Sequence, residues 1–144
     1  MYIYESEHLG KEDLLNIERC GKKCLPIYYR SYQLEMFLKG SKQRIWVLKD
    51  HTNLYGFLIF EIKSPKNIHI LSIAVEPDYQ NKKLASYLMN ELKKKYSSIR
   101  ITLFVQISNL KAINFYTKQG FTFLEFLPNY YNNLPVSSAY KMLY

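Results

Sequence analysis

Two stretches of this 144-residue sequence place polar residues where local structure would present them to a ligand. In the first, an apolar run ends at Val75, and Glu76-Pro77-Asp78-Tyr79-Gln80-Asn81-Lys82-Lys83-Leu84-Ala85 leads into a helical pattern. A helix that opens just past the carboxyl end of a strand turns unpaired N–H groups and the positive end of its dipole outward, which is a natural cradle for a diphosphate. Most strand–helix junctions bind nothing, so this signal is weak alone. The second stretch is Asn109-Leu110-Lys111-Ala112-Ile113-Asn114-Phe115-Tyr116-Thr117-Lys118-Gln119-Gly120-Phe121. Packing accounts for each of its residue types: a cap at Asn109 or Ser108, a core side of Ala112, Phe115 and Tyr116, and Gly120 as the stop. Packing does not account for its occurrence about one strand after the first stretch.

The elements that must position these stretches can be read from periodicity. Tyr2–Glu5 reads as a short strand. Lys11–Cys24 has helical spacing, with Leu14, Leu15, Ile17, Cys20 and Cys24 able to share a face, and Pro26 ends it. Gln33–Leu38 reads as a short helix. Arg44–Lys49 and Leu54–Glu61 read as strands joined by the turn formers Asp50-His51-Thr52-Asn53. Ile68–Val75 is a strand stopped by Pro77, Lys83–Tyr96 a helix, Ile99–Ile107 a strand, and Phe121–Leu127 and Ser138–Leu143 closing strands. Hairpins make the first half of the sheet antiparallel, and the passage from Ile68 to Ile107 should be a right-handed parallel crossover. The expected class is α/β, a mixed sheet flanked by helices, with residues 1–144 as one domain.

Composition sets the limits. Hydrophobic residues make up 48% and charged residues 22%, a globular balance with no need of disulfides. Cys20 and Cys24 stand four apart on one helix face, with no His or Cys pair nearby to complete a metal set, and read as reduced core cysteines; no metal is expected. Met1-Tyr2-Ile3-Tyr4-Glu5 lacks the progression of a signal peptide, and no apolar run approaches the ~20 residues of a membrane span, so a cytoplasmic protein with no membrane association is expected. The net charge of +8 reads either as a solvated lysine-rich surface, with Lys93, Lys94 and Lys95 on an exposed turn, or as a surface for a polyanion such as a ribosome, another acidic partner or the phosphates of a cofactor. No sequence-specific nucleic-acid contact is expected.

Together the two stretches resemble the GNAT N-acetyltransferases. The first motif of that superfamily runs V-x-P-x-x-[QR]-x-x-G-x-[GA], and Val75-Glu76-Pro77-Asp78-Tyr79-Gln80 through Ala85 follows it except at Lys83, which stands at the fixed glycine. The second runs N-x-x-A-x-x-F-Y-x-x-x-G-F, and Asn109–Phe121 matches every fixed position. Leu25-Pro26-Ile27-Tyr28-Tyr29, Val105-Gln106-Ile107-Ser108-Asn109 and Asn129-Tyr130-Tyr131 further resemble protein N-terminal acetyltransferases. Ser138-Ala139-Tyr140-Lys141-Met142 is similar to their closing strand. Two departures stand out: Asn81 and Lys83 occupy loop positions that usually hold glycine, and His69 and Phe104 occupy positions where relatives carry a catalytic tyrosine and a histidine or glutamate.

The resemblance implies a GNAT fold: a mostly antiparallel sheet whose central parallel pair splays to hold acetyl-CoA, flanked by about four helices. It implies backbone contacts to the pantetheine arm from Ile73 and Val75. It implies a diphosphate loop of Gln80, Asn81, Lys82, Lys83, Leu84 and Ala85, with Asn109 and Tyr116 beside the reactive end. Tyr116 would protonate the departing thiolate, and His69 would act as general base through a water. Strand alternation carries His69 onto the face of Leu71, Ile73 and Val75, toward the cofactor wedge. One wall for a peptide N-terminus would come from Leu25, Pro26, Ile27 and Tyr29, the other from Tyr130 and Tyr131. A small-molecule amine, a lysine side chain and a non-catalytic binding module remain as alternative readings.

Overall fold

A computed structural model describes residues 2–144; Met1 lies outside them. Its centre is one seven-stranded sheet of order β1-β2-β3-β4-β5-β7-β6. The strands are β1 (Tyr2–Tyr4), β2 (Gln43–Lys49), β3 (Leu54–Ser64), β4 (Asn67–Val75), β5 (Arg100–Gln106), β6 (Thr122–Leu127) and β7 (Ala139–Leu143). Every neighbouring pair is antiparallel except β4 and β5, the pair joined by the crossover helix.

Helices α1 (Lys11–Cys24) and α2 (Ser31–Lys39) cover one face, and α3 (Leu84–Lys95) and α4 (Leu110–Lys118) cover the other. The division follows from apolar spacing. Leu14, Ile17 and Cys20 of α1 and Leu34 of α2 are buried against Ile45, Val47, Phe57 and Ile59. Leu88, Met89 and Leu92 of α3 and Ile113 and Tyr116 of α4 are buried against Leu58, Phe60, Ile68, Ile70, Leu103 and Val105. Each strand between them feeds both cores by alternation.

Two local features bring loops to the site. Gly21 lets the end of α1 press on the segment leading to α2, since a Cβ there would sit 2.9 Å from the Cβ of Tyr28. In the β2–β3 turn, Asp50 accepts from the Thr52 and Asn53 amides and from the Tyr55 hydroxyl. Those donors hold its carboxyl well below the usual range. Tyr55 in turn meets Tyr79 edge-to-face at 4.5 Å, bracing the segment after β4.

Candidate active site

The parallel pair opens into a fork. Asn67–Ile70 of β4 pairs with Arg100–Leu103 of β5, and there the ladder ends. Beyond it β4 stays with β3 as far as Val75 opposite Gly56, while Phe104–Gln106 of β5 pairs only with β7. A bulge marks the parting: Ile70 faces Phe60, Ser72 faces Ile59, and Leu71 is the extra residue. A bulge bends its strand and raises the local twist. The Glu76 amide donates to Tyr55 on the β3 side at 2.8 Å. Backbone groups alternate along a strand, so those of Val75 and Ile73 turn into the fork. The Val75 carbonyl fits this, accepting from Gln80 Nε2 at 3.0 Å and from Cys24 Sγ at 3.4 Å.

The bulge also corrects the expected facing of His69. Unbroken alternation would place His69, Leu71, Ile73 and Val75 together. Instead Leu71 packs with the α1/α2 core and Ile73 with the α3/α4 core. His69, between the α3/α4-facing Ile68 and Ile70, shares the α1/α2 face with Leu71 and is parted from Ile73. Residues from the two faces can meet only across the fork.

At its far end the fork leads to the start of α3. Asn81 and Lys83 both adopt left-handed backbone, at φ 64° and 62°. The first i→i−4 bond of α3 runs from Tyr87 to Lys83, and no side chain caps the helix. The amides of Leu84, Ala85 and Ser86 therefore have no helical acceptor, and the Lys82 and Lys83 side chains are exposed beside them. Lys111 of α4 reaches Gln80 Oε1 at 3.3 Å. Free amides with three lysines fit a diphosphate, as acetyl-CoA requires. Left-handed backbone costs a side chain such as lysine roughly 1–2 kcal/mol, so Lys83→Gly is expected to stabilise the fold by about 1 kcal/mol in urea unfolding. An unchanged or lower midpoint would show that this lysine is not strained.

The other end of the fork is aromatic. His69 is 6% exposed, with Nδ1 2.8 Å from Thr102 Oγ1. Burial, and then Lys63 and Lys141, push its pKa down to about 4 against the opposing pull of Glu61. Its ring lies 4.5 Å from Phe104, Phe104 lies 4.7 Å from Tyr130, and Tyr130 lies 4.9 Å from Tyr131. Tyr29, packed on Phe37 at 5.1 Å, closes the opposite side; burial raises its pKa, and Tyr130 and Glu61 add to the effect. Leu25 is half-buried, while Pro26 and Ile27 are exposed at the rim. Burial also pushes the Tyr131 phenol up to about 12.

Tyr116 approaches from the other face, 9% exposed, with its ring against Phe115 and Phe121. Burial raises its pKa, and the nearby Tyr131 raises it further. Asn109 caps α4, its Oδ1 accepting from the Ala112 amide at 3.2 Å. Sequence reasoning missed Thr102, Glu61, Lys63 and Lys141. Glu61 and Thr102 stand opposite His69 and Lys141 opposite Phe104 in the sheet, so only a strand register could have found these three; Lys63 lies at the register shift next to Glu61. Among the described residues no group of three His, Cys, Asp or Glu side chains could hold a metal, and no helix is long and apolar enough to cross a membrane.

Similarity to known proteins agrees with this geometry. Residues 11–121 match the model of the acetyltransferase (GNAT) family. The chain is 27% identical over 143 residues to an N-alpha-acetyltransferase of Sulfurisphaera tokodaii, covering 89% of this chain and 86% of that one. It is 25% identical over 133 residues to the N-alpha-acetyltransferase daf-31 of Caenorhabditis elegans, covering 83% and 71%. Arabidopsis thaliana NAA60, solved with acetyl-CoA, superposes with a TM-score of 0.80 at 22% identity, covering 99% of this chain and 98% of that one. A fork with free backbone edges, an uncapped helix start among lysines and a family match across both place this chain in the GNAT family, as an N-acetyltransferase that draws on acetyl-CoA.

Proposed function

We propose that the acceptor is the free N-terminal α-amine of a peptide or protein, acetylated by direct attack while both substrates are bound. The observation that carries this reading is the aromatic mouth, in which Tyr29, Tyr130 and Tyr131 converge beside Phe104 and His69. Tyrosine suits a peptide because its ring packs on the chain while its hydroxyl bonds the backbone. Leu25, Pro26 and Ile27 extend the same wall at the rim.

Acetyl-CoA, when bound, supplies an acetyl group activated as a thioester. The chain's residues hold, orient and move protons around it. The backbone of Ile73 and the amide of Val75 offer hydrogen bonds to the cofactor arm, the Val75 carbonyl already accepting from Gln80 and Cys24. The loop from Gln80 to Ala85 offers amides and charge to the diphosphate, and Asn109 stands at the reactive end. Tyr116 keeps its proton at neutral pH and gives it up at the leaving sulfur. His69 is neutral at the same pH, and in the tautomer whose Nδ1–H donates to Thr102 Oγ1 its Nε2 takes the acceptor's proton through a water. Its proton affinity is low, but an α-amine with a pKa of about 7.7–8.0 is already partly neutral and needs little help.

The same low affinity disfavours a lysine acceptor, whose amine has a pKa of about 10.4. A polycationic acceptor is disfavoured by Lys63 and Lys141 at the mouth. The deciding experiment is a turnover screen with acetyl-CoA. Short peptides differing at their first two residues are compared with N-blocked lysine peptides and polyamines. Activity is expected on peptides with a free N-terminus, those beginning with Met and a hydrophobic residue among them, with Tyr131→Ala lowering kcat/KM by about ten-fold or more. Activity confined to polyamines or blocked lysine peptides would overturn the reading.

A further inference from the structure

The floor of the acceptor mouth is positively charged, and one of its cations is unmatched. Three charged side chains act on the buried His69: Glu61, Lys63 and Lys141. Glu61 and Lys63 form an ion pair at 3.6 Å, and Glu61 is the more enclosed of the two. Lys141 is different. It is half-buried, it stands opposite Phe104 in the β5–β7 ladder, and its Nζ lies 6.0 Å from the centre of the Phe104 ring. That ring touches both His69 and Tyr130. Among the described residues no carboxylate comes within 4 Å of the Lys141 ammonium. Glu125, its cross-strand neighbour on β6, is exposed and makes no such pair.

A lone ammonium beside a site for amines works against its own substrate unless the substrate brings a compensating charge. We infer that Lys141 selects acceptors carrying an acidic side chain at the second or third residue, the carboxylate pairing with the ammonium beside Phe104. This rests on the acceptor being a peptide N-terminus. The reach is suitable. An extended chain advances about 3.3–3.6 Å per residue, so a peptide whose amine lies in the fork by His69 passes Lys141 within its first few residues. Pairing a half-buried ammonium with an incoming carboxylate adds affinity and specificity together, because the alternative peptide leaves that charge uncompensated.

The test compares kcat/KM for isosteric peptides, Asp against Asn and Glu against Gln, placed separately at the second and third residues. The acidic peptide is expected to be preferred at one of these positions by roughly three- to ten-fold, and the preference should shrink as salt rises. Lys141→Gln should abolish the ratio, and Lys141→Glu should invert it toward Lys over Gln at the same position. Inversion is a result that a merely structural lysine cannot give. If either variant fails to fold, the wild-type ratio and its salt dependence still decide. Equal acetylation of acidic and neutral peptides would overturn the inference while leaving the N-terminal reading intact. Acetylation of no peptide, with other amines accepted, would overturn both.

Discussion

Replacing Tyr116 with phenylalanine is expected to lower kcat by about a hundred-fold while leaving stability unchanged. The ring packs against Phe115 and Phe121, and phenylalanine keeps both contacts. The hydroxyl has no hydrogen-bond partner among the described residues, so its loss leaves no orphaned donor or acceptor behind. What disappears is a proton. Burial holds the phenol in its protonated form throughout the neutral range, which is the form needed by a group that gives a proton to a departing thiolate. Stopped assays that follow free thiol should show the fall in kcat with KM for acetyl-CoA nearly constant. Full turnover by a variant with the wild-type urea midpoint would leave Tyr116 as a packing residue only.

The second large effect is on acid stability and comes from His69. Its folded pKa of about 4 lies below the ordinary value of 6.5, chiefly because burial disfavours the charged ring. Between those two values the unfolded chain binds a proton that the folded chain does not, so stability rises with pH across the window. The contribution is complete above pH 6.5, falls as the pH drops, and is gone below about 4. At roughly 1.4 kcal/mol per pKa unit, it amounts to about 3 kcal/mol. Urea unfolding midpoints of wild type and His69→Gln, followed from pH 7.5 to 4, isolate this part from the titration of carboxylates common to both. The wild type is expected to lose more stability than the variant over that range. Parallel curves would mean that the imidazole is not held neutral. The variant should also turn over at least ten-fold more slowly if Nε2 takes the acceptor's proton.

Much of the frame was legible because its signals are local. Helical spacing and Pro26 give α1 with the bounds observed, Lys11–Cys24. The turn formers at 50–53 give the hairpin, and the apolar run before Pro77 gives β4. The parallel crossover follows from strand, helix and strand in order. Asn81 and Lys83, standing where glycine is usual, marked the loop that adopts left-handed backbone, and α3 starts one residue late because Lys83 takes that conformation. The surroundings of His69 were not legible. A bulge inserts one residue without any change in composition, yet it reverses the facing of everything after it. The charged neighbours Glu61 and Lys141 come from strands 8 and 72 residues away by numbering, and a register joins them to the site.

The fork has a kinetic meaning beyond catalysis. Where β4 and β5 separate, the backbone amides of Ile73 and Val75 have no strand partner on that side. Segments with unpaired amides exchange hydrogen with solvent through small openings, without global unfolding. A ligand that binds only the folded chain suppresses such openings in proportion to its concentration over its Kd. Hydrogen exchange at these two amides should therefore slow as the acyl donor is added, whether or not an acceptor is present to turn it over.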